Sequence, residues 1–205
     1  LETLLVHLWY ATTVATQSFF MKQTILRYLE ETGTPESIDF KLHDFGFRGS
    51  TSVESASIGG LAHLVNFKGT DTMEALRVGK YFYHEPMAGF SIPASEHSTI
   101  TSWGRKNEGL AFKNMLEKYP TGLVAVVSDS YDIYNACEHL WGEELRSMVL
   151  KRDGVLVIRP DSGDPTLVLP KILEILGRTF GYEVNQKGYK VLNPKVRLIQ
   201  GDGIT

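Results

Sequence analysis

The sequence has 205 residues, 42% of them hydrophobic and 22% charged, which excludes a disordered or fibrous chain and leaves an ordinary globular protein. A formal net charge of −3 gives no electrostatic reason to expect a nucleic acid or a membrane surface as partner. With one cysteine, Cys137, no intrachain disulfide forms, and no apolar run approaches the roughly 20 residues a membrane span needs.

In chain order, "LETLLVHLWY" reads as helix. It opens at Leu1 rather than Met, so the lack of a visible secretory signal settles nothing about targeting. Short apolar runs then recur, each ending in polar residues: 39–49, 61–71, 89–97, 122–132, 154–164 and 196–203. Between them, 53–60 predicts a short helix, and 99–119, 133–150 and 167–180 carry apolar residues at helical spacing. Cys137 falls with Ile133 and Leu140 at i, i+4, i+7, which predicts a buried structural thiol. Trp9, Trp103 and Trp141 are read as packing residues of helices, and Pro170 as a first-turn proline. Residues 182–193 alternate on either side of Asn185–Gly188, a hairpin pattern.

Strands alternating with helices imply a parallel sheet. The continuous runs "LVAVV" and "VLVI" suit strands covered on both faces. A doubly wound sheet and a βα barrel both satisfy this α/β pattern. Polar residues at nearly every strand end favour the barrel, where those ends meet on one face. About six strand units stand against the eight of a full barrel, so the expectation is a partial, irregular βα barrel, with residues 1–205 part of one domain.

The strand ends bring together His43, Asp44, Phe45, Arg48, Lys68, Asp71, Glu96, His97, Ser128, Asp129, Asp132, Arg159, Asp161, Asp164, Arg197, Asp202 and Gly203. Carboxylates, arginines and a histidine in one mouth suit a phosphorylated substrate bound with a divalent cation. Each piece alone has a plainer reading. Asp161 in "RPDSGDP" is also a turn-former. Glu96-His97 before "STITSW" is also a helix start, with Ser98 or Thr99 as cap. Phe45 is either a core aromatic or a flat ring for a planar ligand. No phosphate loop, G-x-G-x-x-G, H-E-x-x-H, C-x-x-C or serine elbow is present.

Strings in chain order carry a resemblance: "KLHDFGFRG", "AHLVNFKGTDT", "SIPASEHSTITSWG", "VVSDSYDIYNACEHLWGE", "IRPDSGDP" and "VRLIQGDG". Together they resemble the nicotinate/nicotinamide phosphoribosyltransferase family, from the first residues to the last, and "FKGTD" with "SDSYDIYNACE" favours its nicotinamide-using side. The resemblance implies a glycosyltransferase of NAD biosynthesis that joins nicotinamide to 5-phosphoribosyl-1-pyrophosphate, giving nicotinamide mononucleotide and pyrophosphate. It implies Mg²⁺, ATP as a coupled substrate through a phosphohistidine, a type II phosphoribosyltransferase barrel, and a cytoplasmic homodimer with sites at the subunit interface.

Residue by residue, Phe45 matches the aromatic stacked on the pyridine ring, and Asp71 the carboxylate that accepts from the carboxamide. Ser91 and Ala94 match lining positions of that site, and Arg48 a ligand of the phosphoribosyl pyrophosphate. Arg159 matches an arginine near carboxamide and ribose; Asp161, Asp202 and the backbone of Gly201 match the ribose set. His97 matches the phosphorylated histidine and Asp132 the carboxylate proposed to orient it. Ser128 and Arg197 are further lining positions. The metal ligands are not assigned: Mg²⁺ arrives with the substrate's pyrophosphate, with Asp161 as the one candidate protein ligand.

Two parts of the family pattern are missing from this sequence: a ring-stacking tyrosine from the partner subunit, and the glycine-rich phosphate site that follows "QGDG". The expectation is therefore a fragment with little activity alone. The alternatives are a nicotinate-using relative, a metal-assisted barrel hydrolase with Asp132, His97 and Asp161 as ligands, and a non-catalytic remnant.

Overall fold

The computed structural model describes residues 1–202, so Gly203, counted above among the strand ends, lies outside them. The chain divides into two compact units, Leu1–Ser91 and Ile92–Thr205.

The first unit begins with the predicted helix, α1 (Glu2–Thr32). Trp9 on it is 56% exposed rather than packed. Lys22 of α1 reaches Asp39 Oδ1 at 3.1 Å and Lys68 reaches Asp39 Oδ2 at 3.0 Å. Those two ammonium groups hold the Asp39 carboxyl below its usual range. The two long strands expected here shrink to two residues each. β1 (His43–Asp44) and β2 (Gly69–Thr70) pair in parallel, His43 opposite Gly69. The start of the second run is helical: α2 (Val53–Leu64) extends past the predicted 53–60, capped by Ser52, whose hydroxyl accepts from the Ser55 N–H. α3 (Met73–Tyr83), which the sequence reading missed, lies against α2. A Cβ on Gly60 would meet Ala75 Cβ at 2.8 Å, so the glycine permits this close approach. Phe90 adds a single parallel bridge to Gly69.

The second unit is built on a parallel sheet in the order β3–β4–β7. β3 (Thr121–Val127) and β4 (Asp153–Arg159) pair along their whole length, and β7 (Val196–Leu198) adds to β4. The expected strand over 89–97 survives in this unit as one parallel bridge, Ala94 to Ala125 on the free edge of β3. Val124, Val126, Leu156 and Ile158 are buried, with helices packed on them.

The helix expected over 99–119 is broken. α4 (His97–Thr101) ends before Gly104, whose φ of 77° no right-handed helix accommodates. α5 (Glu108–Lys118) starts afresh beyond a 3₁₀ turn. Trp103, in the break, is 41% exposed. The helix expected over 133–150 becomes α6 (Ile133–Asn135), a π-helical stretch over Ala136–Glu144, and α7 (Arg146–Lys151). Its buried face is as predicted. Trp141 stacks on Phe112 at 4.4 Å, and burial pushes the Cys137 thiol up to about 12. That removes thiolate chemistry at neutral pH.

α8 (Pro165–Phe180) starts earlier than predicted, at the Asp164 cap with Pro165 as first residue. Pro170 therefore lies inside the helix and not in its first turn. β5 (Tyr182–Val184) and β6 (Lys190–Leu192) form the predicted hairpin. Asn185 Oδ1 accepts from the Lys187 and Tyr189 N–H groups, and Gly188 takes φ 85°. Among the described residues the strands do not close into a barrel, and no helix is long and apolar enough to cross a membrane.

Candidate active site

The register of the second unit's sheet builds a charged cluster. Val127 and Arg159 are partners at the ends of β3 and β4, so Ser128-Asp129 and Pro160-Asp161 leave the sheet side by side. On the other edge of β3, the Ala125 N–H donates to Pro93 O at 2.8 Å and the Ser95 N–H to Ala125 O at 3.0 Å. The chain then turns at Glu96, which caps α4 in a capping box with Thr99. The cap is thus Glu96, not Ser98 or Thr99. His97 becomes the first residue of α4, at the same sheet end as Asp129.

Its ring lies with Nε2 2.9 Å from Asp129 Oδ1 and Nδ1 3.9 Å from Asp161 Oδ2. The other Asp129 oxygen accepts from the Asp161 N–H at 3.0 Å and the Ser162 hydroxyl at 2.6 Å. Only 4% of the Asp129 side chain is exposed. Burial works to raise its pKa, but the bonds from Ser162, His97 and the Asp161 backbone outweigh it and hold the carboxyl below the usual range. Arg159, itself buried, grips Asp161 with two nitrogens, Nε to Oδ1 at 3.3 Å and Nη2 to Oδ2 at 2.8 Å. Gly201 abuts this pair: a Cβ there would collide with Asp161 Oδ1. The arrangement places two carboxylates around an imidazole, with a guanidinium neutralising one of them. It can hold an imidazole ring in one orientation and balance a developing positive charge.

Other predicted residues of this unit are placed differently. Asp132 does not meet His97: its Oδ1 accepts from the Tyr134 and Asn135 N–H groups at 3.0 Å each, capping α6. Ser128 is fully buried, donating to Val126 O and accepting from the Trp141 indole, so it does not line an open site. Arg197 turns to the carbonyls of Asn193 and Val196, at the start of β7 and away from the strand ends. Asp202 and Ala94 are exposed.

Two residues without an assigned role emerge. Ser162 anchors Asp129, as described. Glu108, the first residue of α5, is 5% exposed, and its Oε1 has no hydrogen-bond partner. Burial, with Asp132 and Asp129 nearby, pushes its carboxyl up to about 7 against the opposing pull of Arg105. In the sequence it reads as an ordinary first-turn acid. Only the packing of α5 reveals it.

In the first unit, Asp44 Oδ1 accepts from the Gly46 N–H at 2.7 Å, turning the chain at Phe45. Phe45 is half-buried, its ring 4.6 Å from that of His43 and tilted by 33°. Asp71 is held by its own N–H, which donates to Asp44 O at 2.9 Å. Its carboxylate accepts from the Ser91 hydroxyl and lies 3.2 Å from His43 Nε2, near enough for an ion pair but out of line for a hydrogen bond. The structure therefore joins Phe45, His43, Asp71 and Ser91 in one group. Arg48 is exposed on the turn Phe47–Gly49. Among the described residues no three His, Cys, Asp or Glu side chains converge as a metal cage.

The chain is 56% identical over 208 aligned residues to a nicotinamide phosphoribosyltransferase of Xanthomonas campestris, covering 100% of this chain and 44% of that protein. Nicotinamide phosphoribosyltransferases of Mycoplasma pneumoniae and Acinetobacter baylyi are 37% and 32% identical, with 46% and 45% of their lengths covered. The chain thus spans about half the length of the curated relatives it matches. Residues 40–205 match the nicotinate phosphoribosyltransferase (NAPRTase) family, and the chain belongs to that family.

Proposed function

We propose that this chain is part of an enzyme that transfers the phosphoribosyl group of 5-phosphoribosyl-1-pyrophosphate to nicotinamide, giving nicotinamide mononucleotide and pyrophosphate for NAD salvage. The observation that carries the reading is the convergence of His97, Asp129, Asp161 and Arg159 at adjacent strand ends in a chain of this family. The names of the relatives favour nicotinamide over nicotinate.

In this reading the pyridine nitrogen attacks the anomeric carbon while its bond to the pyrophosphate oxygen breaks. Phe45 stacks on the ring and Asp71 accepts from the carboxamide, with Ser91 steadying that carboxylate. Arg48 takes phosphate. Asp161, Arg159, Gly201 and Asp202 serve the ribose. Positive charge building at the anomeric carbon is stabilised by the carboxylates, and alignment of the reactants supplies part of the rate. His97 accepts a phosphoryl group from ATP when synthesis is coupled.

The residues present do not fit a resident Mg²⁺. No carboxylate cage converges among the described residues, and both Asp161 oxygens face Arg159. Mg²⁺ in this reading enters with the pyrophosphate. The same donor set weighs against a metal-assisted hydrolase, since Asp132 is turned to the α6 backbone. We take residues 1–205 as part of a single βα-barrel domain of a cytoplasmic homodimer. The test is incubation of the full-length protein with nicotinamide, 5-phosphoribosyl-1-pyrophosphate and Mg²⁺, reading the mononucleotide by chromatography. Nicotinate in a parallel arm separates the two pyridines. No product from an intact, folded chain overturns the proposal.

A further inference from the structure

Glu108 is a buried titratable group that the phosphoribosyl-transfer reading leaves unused. An acid in the first turn of a helix is ordinarily exposed, where it meets the helix dipole without losing its hydration. Glu108 is 5% exposed, and its Oε1 has no hydrogen-bond partner. A buried acceptor left unpaired destabilises the fold. This one lines a cavity of about 480 Å³, within the size range of small-molecule sites. The walls come from the 3₁₀ turn before α5, the first turns of α5, the start of α6 and the end of the π-helical stretch. Arg105, Lys106 and Lys113 are exposed along it. The Arg105 guanidinium stands 5.7 Å from the Tyr131 ring centroid, and Lys113 faces Glu117 at 3.6 Å. Of the other two acids on the wall, Asp132 is turned to the α6 backbone. Glu144 Oε2 lies against Gly109 at the start of α5, where a Cβ would meet it at 3.1 Å and where the dipole favours an anion. No three acids converge as a metal cage among the described residues. Glu108 is thus the wall acid whose oxygen is both buried and unpaired.

We propose that this cavity binds a small organic anion of mononucleotide size that also carries an N–H donor: Arg105 and Lys106 take the anionic group, and Glu108 accepts from the N–H. An inorganic anion alone would leave Glu108 unpaired, and a simple cation would meet the positive rim. The terminal torsion of a glutamate is soft, so either oxygen can turn to the ligand. His97, Asp161 and Arg159 do not line the cavity, and the site stands whether or not the chain transfers phosphoribosyl groups. Recognition carries a pH sign. Burial, with Asp132 and Asp129 nearby, raises the Glu108 carboxyl to about 7 against the pull of Arg105, and Lys106, Lys113 and Glu144 are the other charges at the cavity. The ionised carboxylate accepts from an N–H, whereas the protonated acid offers a hydrogen of its own. Preference for a ligand bearing an N–H therefore grows as pH rises through about 7.

AMP and purine riboside 5′-monophosphate are suitable probes, because they differ only in the amino group that AMP carries on its ring. In the full-length protein, calorimetric titration at pH 8 is expected to give AMP about 10-fold tighter binding, the value of a hydrogen bond to a charged group. That ratio shrinks toward one at pH 6. Glu108→Gln removes its pH dependence, and Glu108→Ala brings it within about twofold at pH 8. Lys106→Ala weakens both nucleotides alike, by roughly fivefold, the value of one such contact. Inorganic phosphate binds more weakly than either nucleotide. Arg48→Ala, which removes the phosphate ligand assigned to the transfer reaction, leaves AMP binding near the parent value. Thermal melting of each variant verifies folding. Equal affinities of the two nucleotides for the parent at pH 8 overturn the proposal without recourse to any variant. So does the absence of AMP binding to the folded parent, in which case water fills the cavity. A ratio untouched in folded Glu108→Ala, or AMP binding lost in Arg48→Ala, also overturns it, since AMP is then read elsewhere. If the parent makes no nicotinamide mononucleotide, the transfer reading falls, and the two-nucleotide titration still decides what the cavity takes.

Discussion

The two units hold their polar residues in opposite ways. In Ile92–Thr205 the charged cluster stands on seven-residue strands whose last four residues are buried on both faces, and its carboxylates are 4% and 11% exposed. In Leu1–Ser91 the strands are two residues long, and Phe45 and Asp71 are held by local turns and by each other's neighbours. A rigid sheet positions groups whose mutual distances set the charge balance. A turn-built group retains more latitude, because fewer buried contacts fix it. The difference teaches that burial on a sheet fixes geometry where charges meet, whereas local turns alone leave it looser.

That contrast can be broken by mutation. Ile158→Ala, at a fully buried position of β4, should cost about 3 kcal/mol in urea unfolding, whereas Met73→Ala, 75% exposed at the start of α3, should stay within about 0.5 kcal/mol. Equal costs would dissolve the distinction. Asp71→Ala should raise KM for nicotinamide about 10- to 100-fold in the full-length protein, the value of a hydrogen bond to a charged group, and leave KM for 5-phosphoribosyl-1-pyrophosphate near the parent. His97→Ala should lose ATP stimulation while retaining uncoupled synthesis, and persistent stimulation would remove His97 from the coupling.

Smaller effects separate scaffold from site. Asp132→Ala should cost about 1 kcal/mol through loss of the α6 cap, read by thermal melting. Glu108 gives a pH dependence with a definite sign. Its carboxyl is raised from 4.5 to about 7, so the folded state binds the proton more tightly than the unfolded one. Stability therefore falls as pH rises from about 4.5 through about 7 and is flat beyond. Glu108→Gln should remove that slope, raising the melting midpoint at pH 8 relative to the parent by roughly 3 °C, about 1 kcal/mol, with little change at pH 4. An equal shift at both pH values would mean that the side chain acts through packing alone.

Much of the second unit was legible in the chain. β3 and β4 are uninterrupted apolar runs, and the α8 face, the hairpin at Asn185–Gly188 and the buried Cys137 follow from spacing and turn chemistry. The first unit was less so. Leu61–Leu64 has the composition of a strand, yet it completes α2, a helix that Gly60 lets approach α3 closely. Propensity yields to such packing.

By itself the sequence determined the α/β class, the parallel pairing, the family, and the residue types gathered at the strand ends, since these rest on periodicity and on motifs contiguous in the chain. Only the tertiary structure decided which of two acids three residues apart faces His97. Asp129 and Asp132 lie in one loop, and either is an acceptable partner on chemical grounds. The choice is made by the register of β3 on β4, which brings Asp161 N–H and Ser162 to Asp129, and by the start of α6, whose unpaired backbone N–H groups claim Asp132. A hydrogen bond is decided by distances of a few tenths of an ångström, and those are set by strands that are remote in sequence.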